Sequence, residues 1–461
     1  MTRSDDALLA LRQVVPPHRL SVGRPRSLPR LAAGLALAVA LGACGGGTDD
    51  DPGTPQTLLP PLPDEATFAV LSTDFASTSI GFLDADGTEV LLDPWIDSGT
   101  TAPGLVATLG GDVVFASQPG TDAVALVDRF GVDAVLRLRR DGGLIGQVRL
   151  SPESVSLNVH DAVVLEGGRR GLASRYGEHP RPDEVAAEDR GSDLIGFDPR
   201  SMTPNGERID LSVFNATVAG IDTRDGSVAP GVPVLARPSR VVQRGNTLVV
   251  GLDRLPRDFL ATTRGHGEGL VALIHLPSGR VAGFDLPGAV ANCGRVLPVL
   301  DDRRDVIVSC VGYSDLGFGE EEGTRATAGI VRLRVDDEGG AEVVSRWLAA
   351  EDGDAPLAGW NTVSLGGDLV ATVAYGEVAR GTTDRLLRID LGAGEVTPIA
   401  TSEQVFVFGS GAFLPGGPLL LPDADQGAVR RFLPEGDGFV EAAPVTLGPR
   451  ALPPRSIRVF R

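Results

Sequence analysis

The sequence contains no lysine, and all 42 of its basic residues are arginine. Without lysine the chain cannot form a Schiff base with a carbonyl substrate, and it cannot build a phosphate loop ending in Gly-Lys-Ser or Gly-Lys-Thr. The chain also lacks the motifs Gly-x-Ser-x-Gly, His-Glu-x-x-His and Cys-x-x-Cys, which are typical of serine hydrolases, zinc proteases and thiol or zinc sites. The sequence motifs therefore indicate no catalytic residue, no metal ligand and no cofactor.

Basic residues are also fewer than acidic residues. The chain carries 61 acidic residues against its 42 arginines, for a net charge of −19. A body this acidic repels nucleic acids and anionic membrane surfaces. We therefore expect no nucleic-acid partner.

An apolar run at residues 31–43 follows several arginines and is rich in Leu, Ala, Val and Gly. It is too short to span a bilayer as a mature helix and is typical of a signal-peptide core. The run ends in Leu41-Gly42-Ala43-Cys44, which resembles the lipobox of bacterial lipoproteins. The resemblance implies a lipoprotein signal peptide at 1–43 and a lipid on Cys44, which would bind the membrane. The alternative is ordinary signal-peptide cleavage, with Cys44 incidental.

Residues 44–65 are rich in Gly, Asp and Pro, which cannot build a core, so we interpret them as a flexible tether. Gly45, rather than Asp, follows the cysteine. By analogy with the enterobacterial sorting rule, this favours the outer membrane. We therefore expect an exported protein that is lipid-anchored to the outer membrane, on its periplasmic or cell-surface side.

The two remaining cysteines, Cys293 and Cys310, flank a predicted hairpin formed by residues 295–300 and 305–310. The hairpin brings their strands side by side, which makes a disulfide plausible in an oxidising compartment. The alternative is a pair of buried free thiols.

Residues 237–287 show the unit around which the chain is organised: four short runs rich in Val, Leu and Ile, separated by Gly, Pro and Asn. One four-stranded meander cannot bury both of its faces, whereas several meanders around an axis can. The unit recurs through residues 66–461, which predicts an all-β fold, a β-propeller of seven four-stranded blades. In the second and third repeats we place the first strands at 105–108 and 155–158.

The C-terminal residues 454–460 look like residues 237–242, the innermost strand of the fourth repeat. We predict that they supply the strand missing from the first blade and so close the ring. Residues 214–236 could hold two further strands and leave eight blades open as an alternative. A pair of β-sandwiches is the rival architecture.

The fourth repeat resembles the YVTN-repeat and quinoprotein-like propellers of exported bacterial proteins. The resemblance rests on residues 245–250, 269–274 and 277–281. His275 stands where the family usually has Asp, while Asp390 keeps the family residue in the sixth repeat. The family includes binding scaffolds and a few enzymes, so the resemblance implies the fold and leaves the function open.

Four consecutive repeats have long connections between their second and third strands, at about 167–192, 253–268, 312–328 and 376–384. Because successive strands alternate in direction, these connections should emerge on one face of the ring. All three tyrosines fall in or beside them, and Tyr is well suited to recognition. The candidate binding-face residues are Tyr176, His179, His266, Glu268, Tyr313, Asp315, Tyr375 and Glu377.

We expect no functional role for two other histidines. We place His160 in a solvated hairpin turn and His275 in a strand, with a structural role. The acid-rich segments 84–87 and 423–427 lack the spaced oxygen ligands of a calcium loop, so we interpret them as turns.

These features favour a lipid-anchored envelope propeller that acts as a binding or assembly scaffold for an envelope protein, a peptide or a glycan, rather than an enzyme. The alternative is a periplasmic propeller enzyme: a hydrolase, a lactonase or a quinoprotein-like oxidoreductase. A third possibility is a structural surface protein. An enzyme should bring His and carboxylate groups together at the mouth of the central channel, which gives a criterion for choosing between them.

Overall fold

The structure is a computed structural model that describes residues 59–120, 123–259, 261–316, 321–351, 359–377, 381–448 and 452–460. The described residues belong to one compact unit, Pro55–Arg461. The predicted signal peptide, Cys44 and most of the predicted tether lie outside the described residues. Among the described residues, no helix is long and apolar enough to cross a membrane.

The described strands form eight antiparallel sheets of four strands each, and seven of these sheets are blades of a ring. Blade 1 consists of Phe68–Thr73, Thr78–Leu83, Val90–Asp97 and Pro454–Val459. Blade 2 consists of Val113–Phe115, Ala123–Asp128, Ala134–Arg139 and Leu144–Arg149. Blade 3 consists of Val159–Val164, Gly171–Glu178, Gly191–Asp198 and Thr203–Asp210. Blade 4 consists of Pro238–Arg244, Thr247–Leu252, Leu270–His275 and Arg280–Asp285.

The remaining blades follow the same plan. Blade 5 consists of Arg295–Pro298, Asp305–Val311, Ala328–Val335 and Ala341–Leu348. Blade 6 consists of Trp360–Gly366, Leu369–Ala374, Arg385–Asp390 and Val396–Thr401. Blade 7 consists of Ala412–Phe413, Leu419–Asp423, Ala428–Glu435 and Gly438–Thr446. The described connections hold one short helix and four 3-10 turns, which are Glu321–Ala326, Pro182–Glu184, Ala187–Asp189, Ser212–Phe214 and Ala349–Glu351.

Seven apolar clusters join the blades, each between two neighbours. The cluster between blades 4 and 5 contains Val249 and Val308, and the cluster between blades 7 and 1 contains Leu420 and Phe68. Five further clusters join blades 1 and 2, 2 and 3, 3 and 4, 5 and 6, and 6 and 7. Because these pairs follow the chain and close on themselves, the ring has seven members. The second strands of the blades are buried on both faces, which explains their continuous apolar runs in the sequence.

The C-terminal strand closes the ring, as the sequence predicts. Pro454–Val459 pairs antiparallel with Phe68–Thr73, and Phe68 lies opposite Val459. A parallel bridge between Ser410 and Ser456 then joins this strand to the inner edge of blade 7. Closure leaves blade 1 without a free inner edge and ties the two ends of the propeller together.

Residues 214–236 do not form an eighth blade. Their strands Ala216–Asp222 and Val228–Leu235 pair with two short strands, Leu255–Pro256 and Thr263–Arg264. Both short strands lie in the connection between the second and third strands of blade 4. The resulting inserted sheet therefore includes part of that connection and adds no member to the ring.

The first strands predicted for blades 2 and 3 are wrong. Residues 105–108 and 155–158 are irregular, and the inner strands are Val113–Phe115 and Val159–Val164. Segment 105–108 looks apolar, but its Val106 and Ala107 N–H groups donate to the side chain of Gln147 at 2.8 and 2.9 Å instead of to a strand.

The second strand of blade 3, Gly171–Glu178, falls inside the segment that the sequence assigned to a long connection. Its charged residue Arg175 concealed it, because a buried strand rarely carries a charge. In the structure the Arg175 guanidinium is 2% exposed and forms two hydrogen bonds to Asp193, at 2.8 and 2.7 Å.

The predicted disulfide between Cys293 and Cys310 is confirmed, with 4.0 Å between the two Cα atoms. In the hairpin register Arg295 lies opposite Ser309, so the residue directly across from Cys293 would be Val311. The bridge therefore joins positions that are one residue out of register. It ties the chain that enters blade 5 to the second strand of that blade.

The inner strands all begin on one face of the ring, which we call the mouth face. Three asparagines with positive φ stand at or just before these starts: Asn158 (φ 54°), Asn292 (φ 57°) and Asn361 (φ 48°). Asn adopts this left-handed conformation more readily than most residues. The connections between second and third strands lie on the same face because the strands alternate in direction.

Candidate functional site

A cavity of about 280 Å³, which we call the mouth pocket, opens on the mouth face. This volume is near the lower end of the usual range for small-ligand pockets, roughly 300–1,000 Å³. Its polar lining comes from the starts of inner strands and the ends of second strands in blades 2 to 5. These polar residues are Arg129, His160, Tyr176, Ser239, Arg240, Asp253, Asn292, Arg295 and Tyr313.

His160 and Tyr176 form one wall of the mouth pocket. The imidazole lies parallel to the phenol ring, with centroids 3.9 Å apart and planes inclined by 15°. Nδ1 of His160 is 3.2 Å from Oγ of Ser239, a hydrogen-bond distance. Burial lowers the pKa of His160 well below its usual value, and the nearby charges of Arg129 and Arg240 lower that pKa further. The imidazole is therefore neutral at pH 7.

The assignment of His160 to a solvated hairpin turn is wrong. His160 is the second residue of the inner strand Val159–Val164 and is largely buried. The misassigned strand at 155–158 made the following residues look like a turn. Once the strand is shifted, His160 falls at the mouth end of the inner strand.

Burial raises the pKa of Tyr176, and the nearby charge of Asp253, which follows the second strand of blade 4, raises it further. Burial also raises the pKa of Asp253. The Asp253 carboxylate also accepts the N–H of Gly294 at 2.6 Å. The guanidinium carbon of Arg237 lies 5.0 Å from the centroid of the Tyr176 ring. Nη2 of Arg237 donates to the carbonyl of Pro256 at 2.6 Å.

Arginines line the channel below the pocket. A second cavity, of about 240 Å³, shares Arg240 and Arg295 with the mouth pocket and also contacts Arg458. Burial lowers the pKa of Arg295 and of Arg458, the latter to about 10. Both remain cationic at neutral pH, so a protein of net charge −19 has a positively charged central channel.

Arg240 is held in place by a buried carboxylate. Its Nη1 donates to the carbonyl of Phe115 at 2.9 Å and lies 3.3 Å from Oδ1 of Asp161. Asp161 is fully buried and also accepts the N–H groups of Ser117 and Val241, at 2.7 and 2.8 Å. These contacts fix the guanidinium between blades 2, 3 and 4.

Of the residues that the sequence proposed for a binding face, Tyr176 and Tyr313 line the mouth pocket. Tyr176 lies in a strand and not in a long connection, which corrects its predicted setting. Tyr375 lies next to the channel wall: its hydroxyl accepts from Nδ2 of Asn361 at 3.1 Å and donates to the carbonyl of Phe408 at 3.3 Å. Burial raises the pKa of Tyr313 and of Tyr375.

His266 and Asp315 form a pair at the rim, with 2.8 Å between Nδ1 and Oδ1. The His266 ring is 5.7 Å from the ring of Tyr313. This contact joins the long connections of blades 4 and 5 beside the pocket.

The other three predicted residues lie apart from the pocket lining. His179 accepts the N–H of Arg181 at 3.1 Å within its own connection, and Glu268 is exposed. Glu377 is buried and paired with Arg325 at 2.6 Å, which ties the connection of blade 6 to that of blade 5. Among the described residues, no group of three or more His, Cys, Asp or Glu side chains could hold a metal ion.

Five residues of the pocket were not predicted from the sequence as site residues: His160, Ser239, Arg240, Asp253 and Arg295. Four of them lie within the first three residues of an inner strand, and Asp253 directly follows a second strand. Polar residues at the starts of successive inner strands are the signal that could have found them. The signal becomes visible only after the inner strands have been assigned.

No protein-family model matches the sequence, and no curated protein matches it. Among solved structures, the chain is similar to a periplasmic gluconolactonase of Pseudomonas aeruginosa, with 14% identity, a TM-score of 0.50, and coverage of 86% of this chain and 99% of that chain. A protein from Lactobacillus plantarum is similar at 10% identity and a TM-score of 0.51, over 86% of this chain and 99% of that chain. A dihydro-heme d1 dehydrogenase matches with 16% identity and a TM-score of 0.46, over 88% of this chain and 78% of that chain. At these identities the first two matches support the propeller fold and nothing beyond it.

Proposed function

We propose that the protein is an exported propeller enzyme that hydrolyses a small lactone or ester in the mouth pocket. The observation that carries the proposal is the convergence of His160, Arg240, Arg295 and the Tyr176–Asp253 pair on one cavity. A histidine and a carboxylate at the mouth of the channel meet the criterion that separates an enzyme from a scaffold. The shared fold with a periplasmic gluconolactonase supports the same choice.

In the proposed reaction His160 is the general base. Its pKa lies below 6.5, so the ring is already neutral at pH 7 and can accept a proton. With Nδ1–H donating to Ser239 Oγ, the lone pair of Nε2 is free to accept a proton from a water molecule in the pocket. Stacking on Tyr176 limits the rotation of the imidazole.

Bond making and breaking then follow in order. The water loses a proton to Nε2 as its oxygen bonds to the carbonyl carbon, and the negative charge that develops on the carbonyl oxygen is stabilised by Arg295 and Arg240. The tetrahedral intermediate collapses, the bond to the ring oxygen breaks, and the imidazolium returns its proton to the leaving alkoxide. The product is a hydroxy acid, which ionises to a carboxylate and a proton at neutral pH.

A proton-release assay tests this proposal. The mature protein would be mixed with a panel of γ- and δ-lactones and simple esters in a weak buffer with a pH indicator. The proposal expects at least one substrate to be hydrolysed faster than in buffer, and expects His160→Gln to remove the excess rate. A complete lack of enzyme-dependent proton release across the panel would favour the scaffold interpretation.

We further propose that the enzyme is lipid-anchored through Cys44 on the outer membrane. The lipobox-like stretch and the tether of 44–65 support this location. Wild-type protein expressed in a bacterial host should take up a labelled acyl chain, and Cys44→Ala should not. Wild-type protein without label would leave an exported protein that has no lipid anchor.

A further inference from the structure

Three phenylalanines on the mouth face are far more exposed than the other described phenylalanines. Phe75, Phe130 and Phe406 are 67%, 71% and 59% exposed. They lie in connections of blades 1, 2 and 7, which are consecutive around the ring. We call these three residues the phenyl arc.

Two members of the phenyl arc have an unfavourable backbone conformation. Phe75 has φ of 66° and Phe406 has φ of 59°, values that bulky L-residues rarely adopt. Side chains hold both turns: the N–H of Phe75 donates to Oγ1 of Thr73 at 2.9 Å, and the N–H of Phe406 donates to Asp384 at 2.9 Å. The fold thus holds a strained backbone that leaves large apolar rings in water, which is a pattern typical of functional sites.

Sequence neighbours of the lining residues connect the phenyl arc to the cationic channel and the mouth pocket. The guanidinium carbon of Arg455 lies 5.3 Å from the Phe75 ring centroid, and its Nη1 donates to the carbonyl of Phe406 at 3.1 Å. The next residue, Ser456, lines the channel. On the other side, Phe130 directly follows Arg129, which lines the mouth pocket.

We infer that the phenyl arc binds an unbranched aliphatic chain of the substrate, while the reacting head lies in the mouth pocket. This inference rests on the proposed function and narrows it to lactones or esters with an apolar tail. A positively charged pocket beside an apolar rim complements an amphiphile whose head becomes negatively charged during the reaction.

A bilayer surface is the less favoured occupant of the arc. The first described residues run along the face opposite the mouth, where the N–H of Leu59 donates to the carbonyl of Gly142 at 3.1 Å. Gly142 lies between the third and fourth strands of blade 2. The described part of the chain therefore begins on the face opposite the phenyl arc.

A substrate series tests the inference. The kcat/KM values of γ-lactones with four, six, eight and ten carbons would be measured for the wild type, for Phe75→Ser/Phe130→Ser/Phe406→Ser, and for the control Val343→Ser/Val344→Ser. The control residues are also exposed, at 40% and 38%, but lie in the outer strand of blade 5. We expect kcat/KM to rise about twofold to threefold per added methylene in the wild type and the control, which is less than the rise expected for a fully buried methylene. The triple variant should lose most of that rise.

A binding arm separates this inference from the proposed hydrolysis. Calorimetry would compare decanoate with acetate, which share a carboxylate head but differ in chain length. We expect the wild type to bind decanoate at least tenfold more tightly than acetate. The triple variant should lose this preference while keeping the melting temperature of the wild type. These two results would support the phenyl arc as a chain-binding surface even if no lactone is hydrolysed.

Two outcomes would overturn the inference. One is equal affinity of the wild type for decanoate and acetate, together with a flat substrate series. The other is that the wild type, but not the triple variant, sediments with phosphatidylcholine vesicles while both proteins bind decanoate equally. That result would indicate that the phenyl arc binds a membrane surface.

Discussion

The imidazole of His160 stacks on the phenol ring of Tyr176, with 3.9 Å between the ring centroids. The two residues come from neighbouring strands of blade 3 and lie at the mouth end of the ring. The stack places a neutral imidazole beside a phenol whose pKa is raised by burial and by the charge of Asp253. This arrangement is the basis of the first two predictions below.

The pH dependence of hydrolysis should reflect His160. Because burial and nearby arginines lower its pKa below 6.5, the base stays unprotonated down to pH values under 6.5. The kcat/KM should therefore remain level from pH 8 through pH 6.5 and decline only at lower pH. Measuring kcat/KM between pH 4.5 and 8 checks this, and a midpoint at or above pH 7 would exclude His160 as the base.

Ser239 should act through His160 and not as a nucleophile. Its hydroxyl is 3.2 Å from Nδ1 of His160, so Ser239→Ala removes an orienting contact but leaves the base. We expect kcat to fall about tenfold, well short of the loss in His160→Gln. Mass spectrometry after rapid quench should show no acyl adduct in the wild type; an adduct on Ser239 would indicate covalent catalysis.

Arg295 should stabilise the charge that develops on the carbonyl oxygen. Arg295→Gln removes that charge from the pocket, and we expect kcat to fall about 10²-fold with a smaller change in KM. Arg149→Gln is the matched control, because Arg149 is exposed at the end of the outer strand of blade 2. Equal kcat values for the two variants would remove Arg295 from the mechanism.

The disulfide between Cys293 and Cys310 should stabilise the ring. The bridge closes a loop with a sequence separation of 17, which the chain-entropy treatment values at about 3 kcal/mol. The variant Cys293→Ala/Cys310→Ala should therefore unfold at a lower denaturant concentration than the wild type. Identical unfolding curves for the double variant and the wild type would argue that the bridge adds no stability.

The sequence was enough to predict the architecture because propeller strands are short apolar runs separated by turn residues. The C-terminal closure and the Cys293–Cys310 bridge followed from local likeness and spacing. The second strand of blade 3 was not predicted because it carries Arg175, whose charge is neutralised by Asp193, a residue that lies 18 positions away. That partnership can be seen only after the fold is known.

The candidate site was predicted only in part for a related reason. Tyr176 and Tyr313 stood out because the chain has three tyrosines in all. His160 and Arg295 belong to different blades, and no spacing in the sequence relates them. Their convergence is produced by the ring, which places the starts of consecutive inner strands around one channel.

Hydrolysis of an active lactone in H₂¹⁸O, followed by mass spectrometry of the hydroxy acid, tests most directly whether the mouth pocket is a hydrolytic site. We expect one ¹⁸O atom in the product carboxyl group, formed faster than in buffer. We also expect this excess rate to disappear in His160→Gln, whose melting temperature should be unchanged. Incorporation at the buffer rate with wild-type protein, or full activity in His160→Gln, would contradict the assignment of the mouth pocket as a hydrolytic site.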